Sequence, residues 1–245
     1  MAHNIIAVYG NSGSYKTTTS LSLARYIASK GGDVIIVGTD TTKPLLPIAV
    51  PFESKFSGSL GKALSAVDFD RDTILKNVYM ATDHIGILSY NIRENYNTYA
   101  VVSQDRIDDL YMQLRQQPNT DIIVDCTSDV AQSKLTAKAL IKASHVVELL
   151  TCDTNGLVFD GSQESILQSE VYAYRDFVRL VALGNSFKQD EAAMTNALGR
   201  ISGKIPYSTK VAEYFNQGTL LTKGTDDHAY NSVIKSLAEV VMKEE

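Results

Sequence analysis

A lysine and a threonine, Lys16 and Thr17, close a stretch rich in glycine and hydroxyls, Gly10-Asn11-Ser12-Gly13-Ser14-Tyr15, and Thr18 and Thr19 follow them. In that order these residue types can hold a nucleotide phosphate. Backbone N–H groups of the turn aim at the anion and the helix N-terminus beneath adds its dipole. The lysine meets the β and γ charge, and the hydroxyl serves Mg²⁺. The pattern G-x-x-x-x-G-K-[ST] is matched except at Tyr15, which replaces the glycine before the lysine. A Cβ and a phenol ring there could crowd the loop where backbone must approach phosphate. The bland alternative is a polar turn with a chance Gly-x-x-Gly, and the flanking elements argue against it.

Those elements are an apolar run before the loop, Ile5-Ile6-Ala7-Val8, and an amphipathic run after it. Leu21, Leu23, Ala24, Ile27 and Ala28 recur at helical spacing until Gly31-Gly32. Asp33 to Val37 is a continuous apolar strand suited to a parallel sheet buried on both faces. Strand, helix and strand make a βαβ unit, and Gly38-Thr39-Asp40 then brings a carboxylate to the sheet edge that carries the loop. The competing reading of Asp40 is a turn cap. A second strand, Asp121 to Asp125, also ends in a carboxylate, and Asp125 is the residue expected on the Mg²⁺ shell.

The rest of the chain supplies further strands and helices. Short strands are expected at 77–81 and 84–88, a helix near 60–67, another through Ile107 and Leu114, and one through Leu135 and Leu140. A strand follows at 145–150, then a helix at 162–174, a strand at 177–183, and helices through Val211 to Phe215 and Val233 to Val241. Residues 90–99, polar and rich in tyrosine, read either as a partner-binding loop or as a surface loop with tyrosines packed at its base. His145 has no His or Cys partner at ligand spacing. The expected fold is α/β, a mostly parallel sheet with helices on both faces, formed by a single domain over residues 1–245.

Composition narrows the function classes. With 245 residues, 44% of them hydrophobic, the chain can bury a sizeable core. A net charge of −5 provides no global attraction for nucleic acid or anionic lipid. The stretch from Thr222 to Glu245 carries three lysines against five acidic residues, so DNA and membrane binding are not supported by the sequence. Cys126 and Cys152 fall at ends of expected buried strands and read as core thiols of a reducing cytoplasm. No apolar segment approaches transmembrane length.

Taken together, the loop, Asp40, Asp125, Leu183-Gly184-Asn185 and Lys204-Ile205-Pro206-Tyr207-Ser208 lie in an order that resembles the ParA/MinD family of deviant-Walker ATPases over essentially the whole chain. The resemblance implies a P-loop NTPase fold, ATP and Mg²⁺ as cofactors, and a nucleotide-dependent homodimer. It implies that the loop from Gly10 through Thr18 cradles phosphates, with Lys16 acting on the reacting charge and Thr17 on the metal. Asp40 would lie near the attacking water and the metal, and Asn185 and Pro206 around the adenine. The family's partners suggest a role in partition, pilus or secretion assembly, or polar localisation, with TadZ/CpaE-like proteins as one subgroup. The signature of that family is K-G-G-x-G-K-[ST], and its first lysine reaches the partner's nucleotide across the dimer. Here Asn11 stands at that position, Ser12 replaces a glycine, and Gly38 stands where an acid is common two places before Asp40. Losing a cation that meets transition-state charge slows phosphoryl transfer. Slow hydrolysis follows, or a substitute cation, for which Lys43 is a candidate. The alternative is an inactive nucleotide-binding or nucleotide-free scaffold. For Tyr15 two dispositions are open: outward toward a dimer partner, which the accompanying site residues favour, or across the loop.

Overall fold

The computed structural model describes residues 4–51, 56–95, 97–184 and 190–242. Among these residues eight strands form one sheet: β1 (Ile5–Gly10), β2 (Asp33–Gly38), β3 (Tyr79–Thr82), β4 (Ile85–Ser89), β5 (Thr120–Asp125), β6 (His145–Thr151), β7 (Val178–Ala182) and β8 (Gly203–Ile205). Their spatial order is β3-β4-β2-β5-β1-β6-β7-β8, and only β3 runs antiparallel, against β4. β1 is central, flanked by β5 and β6, so the crossovers diverge to either side of it. An open α/β sheet places ligands at such a switch point, outside the carboxyl ends of its strands. The register brings the ends together: Val8 lies beside Asp125, and Asp125 beside Gly38.

The helices cover both faces. They are α1 (Lys16–Ala28), α2 (Leu46–Ala49), α3 (Leu60–Ser65), α4 (Arg71–Lys76), α5 (Gln104–Arg115), α6 (Lys134–Lys142), α7 (Thr154–Leu167), α8 (Glu191–Leu198), α9 (Thr209–Asn216) and α10 (His228–Val241). Side chains alternate along a strand, so β1 sends Ile6 and Val8 to a core built with α1, α9 and α10, and Ile5, Ala7 and Tyr9 to one built with α5 and α6. Strands apolar on both faces are what this two-sided covering requires. The α/β expectation therefore stands.

Differences lie mainly in the second half. The helix expected at 162–174 begins instead at Thr154 and stops at Leu167. Its start is fixed by Asp153, whose carboxylate accepts the Gly156 N–H at 3.0 Å, and Gly156 is required because a Cβ there would sit 2.1 Å from the Thr151 carbonyl oxygen. A glycine in the first turn lowers helix propensity and hid the element from its spacing. Helices α4 and α8 and the short strand β8 were not anticipated; each is three to eight residues long, too short for periodicity to stand out. In the loop after β4, Tyr99 donates to Glu94 at 2.6 Å and its ring lies over Gly61 of α3. That is the packed-tyrosine reading of the segment.

Candidate functional site

The loop joining β1 to α1 is shaped by two backbone positions. Gly10 has φ 143°, and a Cβ there would lie 1.8 Å from the Leu149 carbonyl oxygen on β6, so only glycine fits. Tyr15 has φ 65° and ψ 25°, the left-handed conformation that the glycine of the pattern adopts freely. Tyr15 is also the residue from which α1 starts, and no side chain caps that helix. Among the described residues every other helix of six residues or more has its first turn capped by a Ser or Asp side chain. The N–H groups at the start of α1 have no side-chain acceptor, and they sit at the positive end of the helix dipole.

Around this N-terminus the polar side chains converge. Lys16 Nζ donates to the carbonyls of Gly10 at 2.9 Å and Asn11 at 2.8 Å, and to the Ser128 hydroxyl at 2.8 Å. Thr17 donates its hydroxyl to Asp125 Oδ2 at 2.8 Å, and Ser20, one turn along α1, donates to Oδ1 at 3.2 Å. Burial lowers the Lys16 pKa from its ordinary value, opposed by the negative charges of Asp125 and Asp40. Burial pushes Asp125 up to about 6, opposed by its hydroxyl donors and by Lys16. Ser20 and Ser128 were not singled out in the sequence. Ser20 lies four residues after Lys16, on the helix face that carries it, a spacing that could have found it.

Asp40 lies at the same edge, and its Oδ1 accepts the N–H groups of Thr42 at 2.7 Å and Lys43 at 3.0 Å. That is the turn cap weighed against the catalytic reading, and it is compatible with a nearby charge on the site, because the Asp40 carboxylate also acts electrostatically on Lys16 and Asp125. Lys43 remains exposed.

Asn11 is turned inward. It is only 4% exposed, its Nδ2 donates to Thr151 Oγ1 at 2.8 Å, and its Oδ1 accepts the Thr151 N–H at 2.9 Å. Thr151 in turn donates its hydroxyl to Oδ1 of Asp153 at 2.6 Å, the residue that caps α7. Ser14 is buried and closes the loop on itself by donating to the Asn11 carbonyl at 2.8 Å. Ser12 and Gly13 are exposed.

The ring of Tyr15 takes neither expected course. It lies against its own chain, and its hydroxyl donates to the Leu183 carbonyl at 3.0 Å, just past the end of β7. With Thr18, Pro206, Tyr207, Val211 and Phe215 it lines a largely apolar cavity of about 180 Å³ beside the loop. Pro206 thus reaches the site; Asn185 lies outside the described residues.

The donor set fits a phosphorylated ligand with Mg²⁺. Unsatisfied N–H groups and an ammonium suit phosphate oxygens, and Thr17 with Asp125 offers the hydroxyl and carboxylate that hard cations favour. Among the described residues no cluster of three or more His, Cys, Asp or Glu could hold a metal ion.

Comparison with known proteins gives the family and the fold. The family described as the CobQ/CobB/MinD/ParA nucleotide binding domain matches residues 5–221, so the chain belongs to that family. Its structure superposes on a ParA family ATPase from Chlorobium tepidum with a TM-score of 0.81 at 13% identity, covering 97% of this chain and 98% of that one. It is similar also to the septum site-determining protein MinD of Pyrococcus horikoshii complexed with Mg-ADP, with a TM-score of 0.77 at 16% identity, covering 98% of this chain and 96% of that one. A MinC:MinD complex from Aquifex aeolicus matches with a TM-score of 0.69 at 14% identity, over 98% and 96% of the two chains. A search of curated protein sequences finds no match. The fold is that of the ParA/MinD P-loop ATPases.

Proposed function

We propose that the protein is an ATP-binding, slowly hydrolysing ParA/MinD-like switch that dimerises with nucleotide and positions or assembles a partner. The observation that carries this reading is the uncapped N-terminus of α1 with Lys16 and the Thr17–Asp125 pair gathered around it. In the proposed site the loop from Gly10 to Thr18 binds the phosphates, Lys16 neutralises their charge, and Thr17 and Asp125 hold the metal shell. Mg²⁺ supplies positive charge that offsets the charge developing on the transferred phosphoryl group. Asp40 orients water at the edge of the site, and Pro206 borders the base together with Asn185. A MinD relative is described with Mg-ADP and another in complex with MinC, which supports nucleotide as cofactor and protein as partner.

Slow turnover follows from Asn11. Its amide is held by Thr151 inside its own chain, so it brings no cation to a facing protomer. The same observation favours the second reading, a nucleotide-binding scaffold without turnover. The whole chain acts as one unit in either case. A cytoplasmic address is part of the proposal; no helix of the described residues is long and apolar enough to cross a membrane. At a net charge of −5, binding to duplex DNA or anionic vesicles is weak at physiological salt.

Calorimetric titration of ATP and ADP with Mg²⁺ tests the site. Wild type should bind, and Lys16→Ala should lose about 2–5 kcal/mol of binding free energy, the cost of removing one member of a desolvated charge pair. Equal ATP affinity in the two proteins would place the site elsewhere. Turnover measured across protein concentrations separates the two readings: rates that rise with concentration support the dimerising switch, and bound but unhydrolysed ATP supports the scaffold.

A further inference from the structure

Tyr15 calls for an explanation that the phosphate loop alone does not supply. A left-handed backbone costs a non-glycine residue on the order of 1–2 kcal/mol, and glycine at this position would remove that cost. Backbone strain that a fold retains at a ligand site is a pointer to use. The ring is fixed at both ends, by the strained backbone of the loop and by the hydroxyl bond to Leu183 beyond β7. Held there, it packs on the core face formed with α1, α9 and α10, and it makes no hydrogen bond to the N–H groups that open α1.

What the ring does present is one wall of the apolar cavity whose other walls are Pro206, Tyr207, Val211 and Phe215. Thr18, three residues on, lines the same cavity from the first turn of α1, so the space begins where the phosphate-binding N–H groups end. At about 180 Å³ it is smaller than the roughly 300–1,000 Å³ of a pocket that encloses a whole drug-sized ligand, and it suits a single ring system. An apolar cavity of single-ring size, walled by aromatic side chains and a proline beside an anion site, suits a nucleobase.

We propose that Tyr15 is the base-stacking residue of this site: its ring forms the platform on which the purine of a nucleotide lies, opposite the Pro206–Tyr207 segment. The hydroxyl bond to Leu183 sets the platform's angle and joins the phosphate loop to the β7 side of the pocket. This rests on the nucleotide reading above. It explains why an aromatic residue is kept in a conformation that favours glycine, because the cost of the backbone is offset by contact with the base. Stacking is sequence-tolerant, since every base has a π-face, so the platform adds affinity for the base without choosing among purines.

The test compares wild type, Tyr15→Phe and Tyr15→Gly in titrations with ATP, ADP and inorganic tripolyphosphate, each with Mg²⁺. Glycine removes the ring and accepts the left-handed backbone, so its variant keeps the loop conformation. Tyr15→Gly should bind ATP and ADP about tenfold more weakly than wild type and tripolyphosphate equally well. Tyr15→Phe should stay within about threefold of wild type for all three ligands, because the stacking face remains. Unchanged or tighter ATP binding by Tyr15→Gly would overturn the proposal and make the ring an obstruction or a spacer. Wild type binding tripolyphosphate as tightly as ATP would overturn it too, while leaving the phosphate site intact. Wild type that bound neither ligand would overturn the nucleotide reading itself and this proposal with it.

Discussion

Of the buried carboxylates on the strands that flank β1, Asp125 and Glu148 are held in opposite ways. Asp125, at the carboxyl end of β5, is met by the neutral hydroxyls of Thr17 and Ser20. Glu148, midway along β6, is fully buried and accepts from Arg179 Nε of β7 at 2.6 Å, the residue paired with it in the parallel register. Arg179 also bonds Asp160 of α7 and the Leu198 carbonyl at the end of α8. Burial raises both acids, Asp125 to about 6 and Glu148 to about 7. The difference is where the compensating charge comes from. Around Glu148 the fold supplies its own guanidinium, and the cluster ties strands to helices. At Asp125 no side-chain cation among the described residues bonds the carboxylate, and Lys16 acts on it only through space, which fits the metal-shell role proposed for it.

If that contrast is right, removing the internal cation should do the greatest damage. Arg179→Met should cost about 3–5 kcal/mol in denaturant unfolding, because Glu148 and Asp160 are left without it. A loss below about 1 kcal/mol would mean that the cluster is solvated on the time average. Asn11 offers a neutral control, a buried polar side chain fully paired but uncharged. Asn11→Ala should cost about 1–2 kcal/mol by orphaning the Thr151 N–H, clearly less than the Arg179 variant.

On the other side of the contrast, Asp125→Asn should leave unfolding free energy without nucleotide within about 1 kcal/mol of wild type or raise it, since a buried charge is removed. The same variant should lose the enhancement of ATP affinity by Mg²⁺. A large drop in stability with Mg²⁺ dependence intact would make Asp125 a structural partner of Thr17 and nothing more. The smallest effect is on pH. Glu148 holds its proton up to about 7 in the folded chain but releases it near 4.5 when unfolded. Stability therefore falls as pH rises through that window. Glu148→Gln should flatten the dependence of melting temperature between pH 4.5 and 7, and an unchanged slope would remove Glu148 as its source.

How much of this was legible in the sequence differs between the same two regions. The loop, Asp40 and Asp125 were visible because their signals are local: a short motif, and acids at the ends of apolar runs. Pro206 entered through resemblance, and the structure brings it to the loop. Glu148 and Arg179 stood in plain view as charges inside apolar strands, yet their pairing depends on β6 lying beside β7 in one register, which no local pattern encodes. The early start of α7 was hidden for a similar reason, since Gly156 answers to the Thr151 carbonyl of the preceding strand and not to helix propensity. The destinations of Asn11 and Tyr15 were likewise settled by partners far along the chain, Thr151 and Leu183.

The Asn11 clasp also sets the cost of re-engineering the loop. A lysine at position 11 would strip Thr151 of both its amide partners and leave Asp153 holding a hydroxyl with no fixed donor of its own. Position 11 is therefore coupled to positions 151 and 153, and a lysine installed there alone should cost more stability than one installed together with changes at those two positions.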